Sequence, residues 1–141
     1  MSGIFGIVQL DGTPLQPRDL ESMRDALAHR GPDGGSIWMG DNAGLGQLML
    51  HTTPESRHEN RPWHDPRSGL VIASDARIDN RVELTKSLSL TREDNLELPD
   101  SHIILAAFLR WGSYCLEHLL GDYSFVVWDS RRRKLFCARD H

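Results

Sequence analysis

The stretch His29-Arg30-Gly31-Pro32-Asp33-Gly34-Gly35 constrains this chain most. One proline and three glycines in seven residues cannot continue a helix, so a loop of special backbone geometry is fixed there. Before it, residues 4–10 are apolar and β-branched and stop at Asp11-Gly12. They predict a strand that starts almost at the first residue. Pro17 then opens a helix, where its missing N–H costs nothing, with Leu20, Met23 and Leu27 as the apolar stripe.

After the loop, residues 36–39 and 43–50 predict two short strands joined at Gly40-Asp41-Asn42. Residues 51–68 are polar and proline-bearing and predict a long loop, of a kind that often carries function. Residues 70–73 form a buried strand run. Asn80 and Glu83 stand as cap and third residue of a capping box, opening a helix to about Leu88. A polar connection over 91–99 leads to a helix over 101–111. That helix stops at Gly112 and has Ile104, Ala107, Phe108 and Trp111 as its apolar face. Residues 123–128 and 134–138 pair as a hairpin, with Arg131-Arg132-Arg133-Lys134 as its solvated turn. Strands and helices in separate runs predict an α+β fold of antiparallel sheets with helices packed outside.

Composition narrows the function. The 16 Lys and Arg against 20 Asp and Glu give a net charge of −4 over 141 residues, a poor field for a nucleic-acid backbone. A chain of 16.0 kDa can bury one core and should expose roughly 7,400 Å² when folded. No apolar run approaches the ~20 residues of a membrane span, and the N-terminus does not read as a signal peptide. Cys115 and Cys137 make no disulfide framework; both sit among apolar residues and are expected to be buried, inert thiols in a reducing, cytoplasmic compartment. His51, His58 and the pair His64-Asp65 match no standard metal spacing, and the histidines read as surface residues, so no metal is expected. Trp38, Trp63, Trp111 and Trp128 read as core or interface aromatics.

The chemistry of interest lies at the start. Ser2 is a hydroxyl residue at the head of a buried strand. Were Met1 removed, Ser2 would carry both a nucleophile and a free α-amine, whose ordinary pKa of about 7.7–8.0 suits a general base at neutral pH.

Several segments together resemble the amino-terminal domain of asparagine synthetases. They are Met-Ser-Gly-Ile-Phe-Gly-Ile at the start, His29-Arg30-Gly31-Pro32-Asp33-Gly34, Gly44-Leu45-Gly46, Trp111-Gly112, Leu120-Gly121-Asp122-Tyr123-Ser124-Phe125, Trp128-Asp129 and Leu135-Phe136-Cys137-Ala138-Arg139-Asp140. The resemblance covers essentially all of the chain. It implies a class II glutamine amidotransferase of the Ntn-hydrolase-like αββα fold, which releases ammonia from glutamine. It also implies that residues 1–141 are a glutaminase-like domain incomplete at its C-terminal end. The synthetase domain, with its ATP and magnesium, would lie outside this chain, and no cofactor is expected within it.

Carried over position by position, the resemblance implies an altered site. The family's nucleophilic cysteine is Ser2 here. The arginine that binds the glutamine carboxylate is Met49, in Gly46-Gln47-Leu48-Met49. The oxyanion-hole segment is Asp75-Ala76-Arg77, with Asp75 in place of the amide and Ala76 at the backbone contact. The aspartate for the substrate's amino group is retained as Asp100, which is also where a helix N-cap belongs. A thioether cannot replace a charged fork, and a carboxylate facing a developing oxyanion repels it. The expectation is therefore a glutaminase-inactive, structural domain of an ATP-dependent amide ligase. It resembles the β-lactam synthetase and lasso-peptide cyclase branches, with Asp75-Ala76-Arg77-Ile78-Asp79-Asn80-Arg81 closest to the latter. Its expected partners are the synthetase domain of the same protein, a peptide substrate or leader-binding protein, and a second copy, but no nucleic acid or membrane. The alternative is an active glutaminase with Ser2 as nucleophile.

Overall fold

The computed structural model describes residues 2–59, 62–90 and 98–141. Most of the polar connection expected over 91–99, and Met1 itself, lie outside the described residues. Strands β1 (Gly3–Val8), β2 (Gly35–Met39) and β3 (Ala43–Leu48) form one antiparallel sheet in the order β1-β3-β2. Strands β4 (Trp63–His64), β5 (Leu70–Ile78), β6 (Gly121–Asp129) and β7 (Lys134–Arg139) form a second, in chain order and also antiparallel.

The period-two alternation of side chains builds the layers. Ala43 and Leu45 of β3, Val71 and Ala73 of β5 and Trp128 of β6 pack together between the sheets. On the outer face of the first sheet, Phe5 and Leu48 pack with Leu15 and with Leu20 of helix α1 (Pro17–Ala26). On the outer face of the second, Ile72, Ile78, Phe125 and Val127 meet Leu84 of α2 (Arg81–Ser87) and Ile103, Ile104 and Ala107 of α3 (Asp100–Trp111). The result is the four-layer αββα sandwich. Each large apolar side chain buried in it contributes ~1.5–3 kcal/mol.

Close approach explains one glycine of the Gly44-Leu45-Gly46 motif. A Cβ on Gly46 would lie 2.0 Å from Cζ of Phe5, because the Phe5 ring lies flat against the central strand.

Several elements differ from their sequence reading. Residues 51–68 are not a bare loop; they hold a 3₁₀ turn (Glu55–His58) and β4. The buried run at 70–73 continues as a nine-residue strand through Asp75-Ala76-Arg77. Asn80 does not cap α2 with its side chain. Its Nδ2 donates to the His118 carbonyl at 2.9 Å, and its Oδ1 accepts from the Leu120 N–H at 3.1 Å, tying α2 to the approach into β6. Asp100 does not cap α3 either: Pro99 precedes the helix and Asp100 is its first residue. The buried face of α3 is wider than the expected stripe, since Ile103 and Leu105 are also fully buried.

Cys115 is buried, with its thiol pushed up to about 11 by burial, but Cys137 is exposed. The reason is alternation in β7. Phe136 and Ala138 face the helices, so Leu135 and Cys137 face the other way, where the first sheet stops at its edge strand β1. Between β1 and β6–β7 this leaves an apolar groove of about 380 Å³. The exposed surface is 8,436 Å², above the size-based expectation. The basic run forms the expected turn, with Asp129 Oδ1 accepting the N–H groups of Arg131 and Arg132 at 3.0 Å each.

Gly46→Ala is expected to force Phe5 out of its place and destabilise the domain by about 1–3 kcal/mol, read as a lower urea midpoint at unchanged slope.

Candidate functional site

The loop at 29–35 closes on the end of β3. Gly31 is required there, because a Cβ would meet Cβ of Leu48 at 2.4 Å. Met49 continues β3 into that loop: its N–H donates to the Gly34 carbonyl at 2.7 Å, and its carbonyl accepts from the Asp33 N–H at 3.0 Å. Asp33 Oδ2 accepts the His51 N–H at 2.7 Å and fixes the exit of the segment. Ser2 is buried beside it, with Oγ accepting the Leu50 N–H at 3.1 Å and its carbonyl accepting from Arg30 Nε at 3.5 Å.

Gln47 joins the two sheets under this corner. Its Nε2 donates to the Ser74 carbonyl at 2.6 Å, and its Oε1 accepts the Ser74 N–H at 3.1 Å. The same Nε2 lies 3.1 Å from the Met49 sulfur. Met49 is buried, its thioether already engaged by this amide. Gln47 carried no flag in the sequence, where it read as one residue of a strand.

The second wall is the edge of β5. β4 covers β5 only at Val71 and Ile72, so β5 has no β4 partner from Ala73 onward. Asp75 and Ala76 line the cleft along that stretch. Arg77 turns to the surface and pairs with Asp79 at 3.0 Å and Asp122 at 2.9 Å.

The floor is the start of α3. Asp100 is buried, and its Oδ2 accepts the Ile78 N–H at 3.4 Å. Its Oδ1 forms an ion pair with Arg81, whose Nη2 also donates to the Leu98 carbonyl at 2.5 Å. Burial raises the Asp100 carboxyl to about 6, against the opposing pull of Arg81. Next to it, Glu59 reaches from the 51–59 segment, accepting the Ser101 N–H at 3.0 Å and the Ser101 hydroxyl at 2.6 Å. Neither Arg81 nor Glu59 stood out in the sequence. Each lies far along the chain from its partner, and no local pattern marks such a pair.

The structure thus brings Ser2, Met49, Asp75, Ala76 and Asp100, all the sequence-derived positions, to one cleft. Its free volume is about 10 Å³, room for about one water-sized sphere. The cleft presents hydroxyls and carboxylates, and its own side chains fill it.

The histidines lie elsewhere. His58 and His64 are exposed, and His51 is half-buried just past the end of β3. Asp65 holds its own turn, accepting from Arg67 and Ser68. Among the described residues no group of three or more His, Cys, Asp or Glu is placed to hold a metal. His102 stacks on Trp63 with ring centroids 3.6 Å apart, which seats β4 against α3.

An αββα stack with a serine heading its first strand, and a cleft at the corner where the two sheets meet, defines the class: an Ntn-hydrolase fold. The glutamine phosphoribosylpyrophosphate amidotransferase of Bacillus subtilis shares it at a TM-score of 0.69 over 99% of this chain and 37% of that one, at 17% identity. A family model of the glutamine amidotransferase domain matches residues 1–141, and the chain belongs to that family. Its relatives include asparagine synthetase B of Escherichia coli, 29% identical over 100% of this chain and 25% of that protein. Asparagine synthetase 3 of Bacillus subtilis is 28% identical over 99% of this chain and 23% of that protein. Amidase chry2 of Gibberella zeae is 32% identical over 86% of this chain and 18% of that protein. The domain is therefore the glutamine amidotransferase domain of asparagine-synthetase-like proteins, and the chain spans about a fifth to a quarter of these relatives.

Gln47→Leu would leave the Ser74 N–H and carbonyl unpaired between the sheets. A loss of about 2–5 kcal/mol is expected, measured by urea unfolding. For Asp100, a folded pKa near 6 against an ordinary 3.8 means that the folded state binds the proton more tightly. Its contribution is fully present below about pH 4 and is lost as pH rises through about 6. Between pH 7 and pH 4 wild type should therefore gain up to about 3 kcal/mol relative to Asp100→Asn, read from parallel unfolding curves.

Proposed function

We propose that this domain is silent as a glutaminase and acts as a structural part of an asparagine-synthetase-like, ATP-dependent amide ligase. One observation carries the reading: the cleft that gathers the site positions has room for about one water-sized sphere. So small a space supports the exclusion of glutamine, and the groups that would recognise it are changed or engaged. Met49 stands at the position of the carboxylate-binding arginine and holds Gln47 instead. Asp75 stands at the oxyanion position. Loss of one oxyanion donor typically costs ~2.7–4 kcal/mol of transition-state stabilisation, and a carboxylate adds repulsion.

On this reading the amine that is acylated belongs to the ligase's own substrate, as in the lasso-peptide cyclases that the 75–81 segment resembles, and free ammonia is not needed. ATP and magnesium would be held by a synthetase domain of the same protein. A peptide substrate or leader-binding protein, and a second copy of the chain, are the further partners we propose. Two free cysteines fit a reducing, cytoplasmic setting, and among the described residues no helix is long and apolar enough to cross a membrane.

Glutamate release from glutamine tests the reading, using the full-length protein with its N-terminus defined by intact mass. No release above an acid-inactivated control is expected, from wild type or from Ser2→Cys. Release at an ordinary enzyme rate from wild type lacking Met1 would overturn the reading and establish Ser2 as a nucleophile.

A further inference from the structure

The cleft holds one carboxylate that nothing in the described structure balances. Glu59 bonds Ser101, and Asp100 is paired with Arg81 and bonded by Ile78. The Asp75 carboxylate has neither a hydrogen bond nor an ion pair among the described residues.

Alternation fixes where it points. Val71 and Ala73 face the first sheet, so Asp75, two residues on, faces it too. Ile4 faces the second sheet from β1, and Ser2 shares that face. The register brings the two together. Gly3 pairs with Leu48, which sets Ser2 level with Met49, while Gln47 grips Ser74 beside Asp75. Ser2 and Asp75 line the same cleft.

We propose that Asp75 is the counter-ion of the Ser2 α-ammonium in the chain lacking Met1. Removal of Met1 converts the Ser2 nitrogen from an amide to a primary amine in this cleft. An opposite charge within ~4–6 Å favours the charged form. The neighbouring charges are few. Arg30, whose Nε donates to the Ser2 carbonyl, opposes the ammonium. Glu59 supports it, and Asp100 is offset by Arg81. The consequence is chemical. An amine that keeps its proton has no lone pair to accept the Ser2 hydroxyl proton, and a rise in its midpoint from about 8 to about 9 cuts the free-base fraction at pH 7 about tenfold, which weakens the built-in general base. The inference rests on the reading of a silent domain and adds a cause within the chain's own residues.

The test reads the amine directly. Protein with Met1 removed, verified by intact mass, is reductively dimethylated with ¹³C-formaldehyde and cyanoborohydride, and the α-amine signal, resolved from those of Lys86 and Lys134, is titrated by NMR. A midpoint at or above about pH 9 is expected for wild type, against an ordinary amine at about 7.7–8.0. Asp75→Asn should return it to the ordinary range. A wild-type midpoint at or below about 8, or the same midpoint in both proteins, overturns the proposal. The wild-type value decides alone if Asp75→Asn fails to fold. Glutamate release from the same preparation separates the two failures: an ordinary midpoint without glutamate sinks only the counter-ion, whereas glutamate production sinks the silent-domain reading.

Discussion

The double hydrogen bond between the Gln47 amide and the Ser74 backbone is the contact on which the rest of the molecule depends. It joins the central strand of one sheet to an inner strand of the other, in a space otherwise packed with Ala43, Leu45, Val71, Ala73 and Trp128. Apolar packing alone would let the sheets slide, because it is not directional. Two bonds from one planar amide to one residue allow a single register. That register brings Ser2, Met49 and Asp75 to one cleft, so its geometry follows from the grip of Gln47, which lies outside the lining, on Ser74, which is part of it.

The start of α3 shows the same economy of polar groups. A helix begins with N–H groups that have no partner inside it. Pro99 offers no side-chain acceptor, and Asp100 is turned toward Arg81. Glu59 supplies the acceptor from 42 residues away in sequence, bonding both the N–H and the hydroxyl of Ser101. A carboxylate near a helix N-terminus is also favoured by the helix dipole. The 51–59 segment is thus held onto α3 by a cap, and this places Thr52 and Ser56 against the cleft.

What the sequence made legible was local. Pro17, the glycine-rich loop, the Asp129 turn and the alternating runs of the hairpin each act over a few residues, and each forms where its pattern stands. The family motifs extended this to the fold and to the five cleft positions. The misreadings share one physical cause. Asn80 and Asp100 have the residue types of caps, but each found a better partner from another element. Cys137 sits in an apolar run, but its face of β7 has no sheet opposite it. Gln47, Glu59 and Arg81 were silent because their roles exist only once distant segments meet.

On the proposed reading, the groups that close the cleft to glutamine are also groups that hold the fold. Freeing the Met49 sulfur means disturbing Gln47, which also holds Ser74 in the second sheet. Freeing Asp100 means removing Arg81 and leaving a buried carboxylate uncompensated, a change that costs about 3–5 kcal/mol where it has been measured for buried pairs. Domains of this size have about 5–15 kcal/mol of stability in all. On that reading, recovery of a substrate site would need compensating changes in the core along with new substrate contacts. If the domain is silent as proposed, a site absorbed into the packing in this way would be held there by folding stability, independently of any advantage in leaving glutamine untouched.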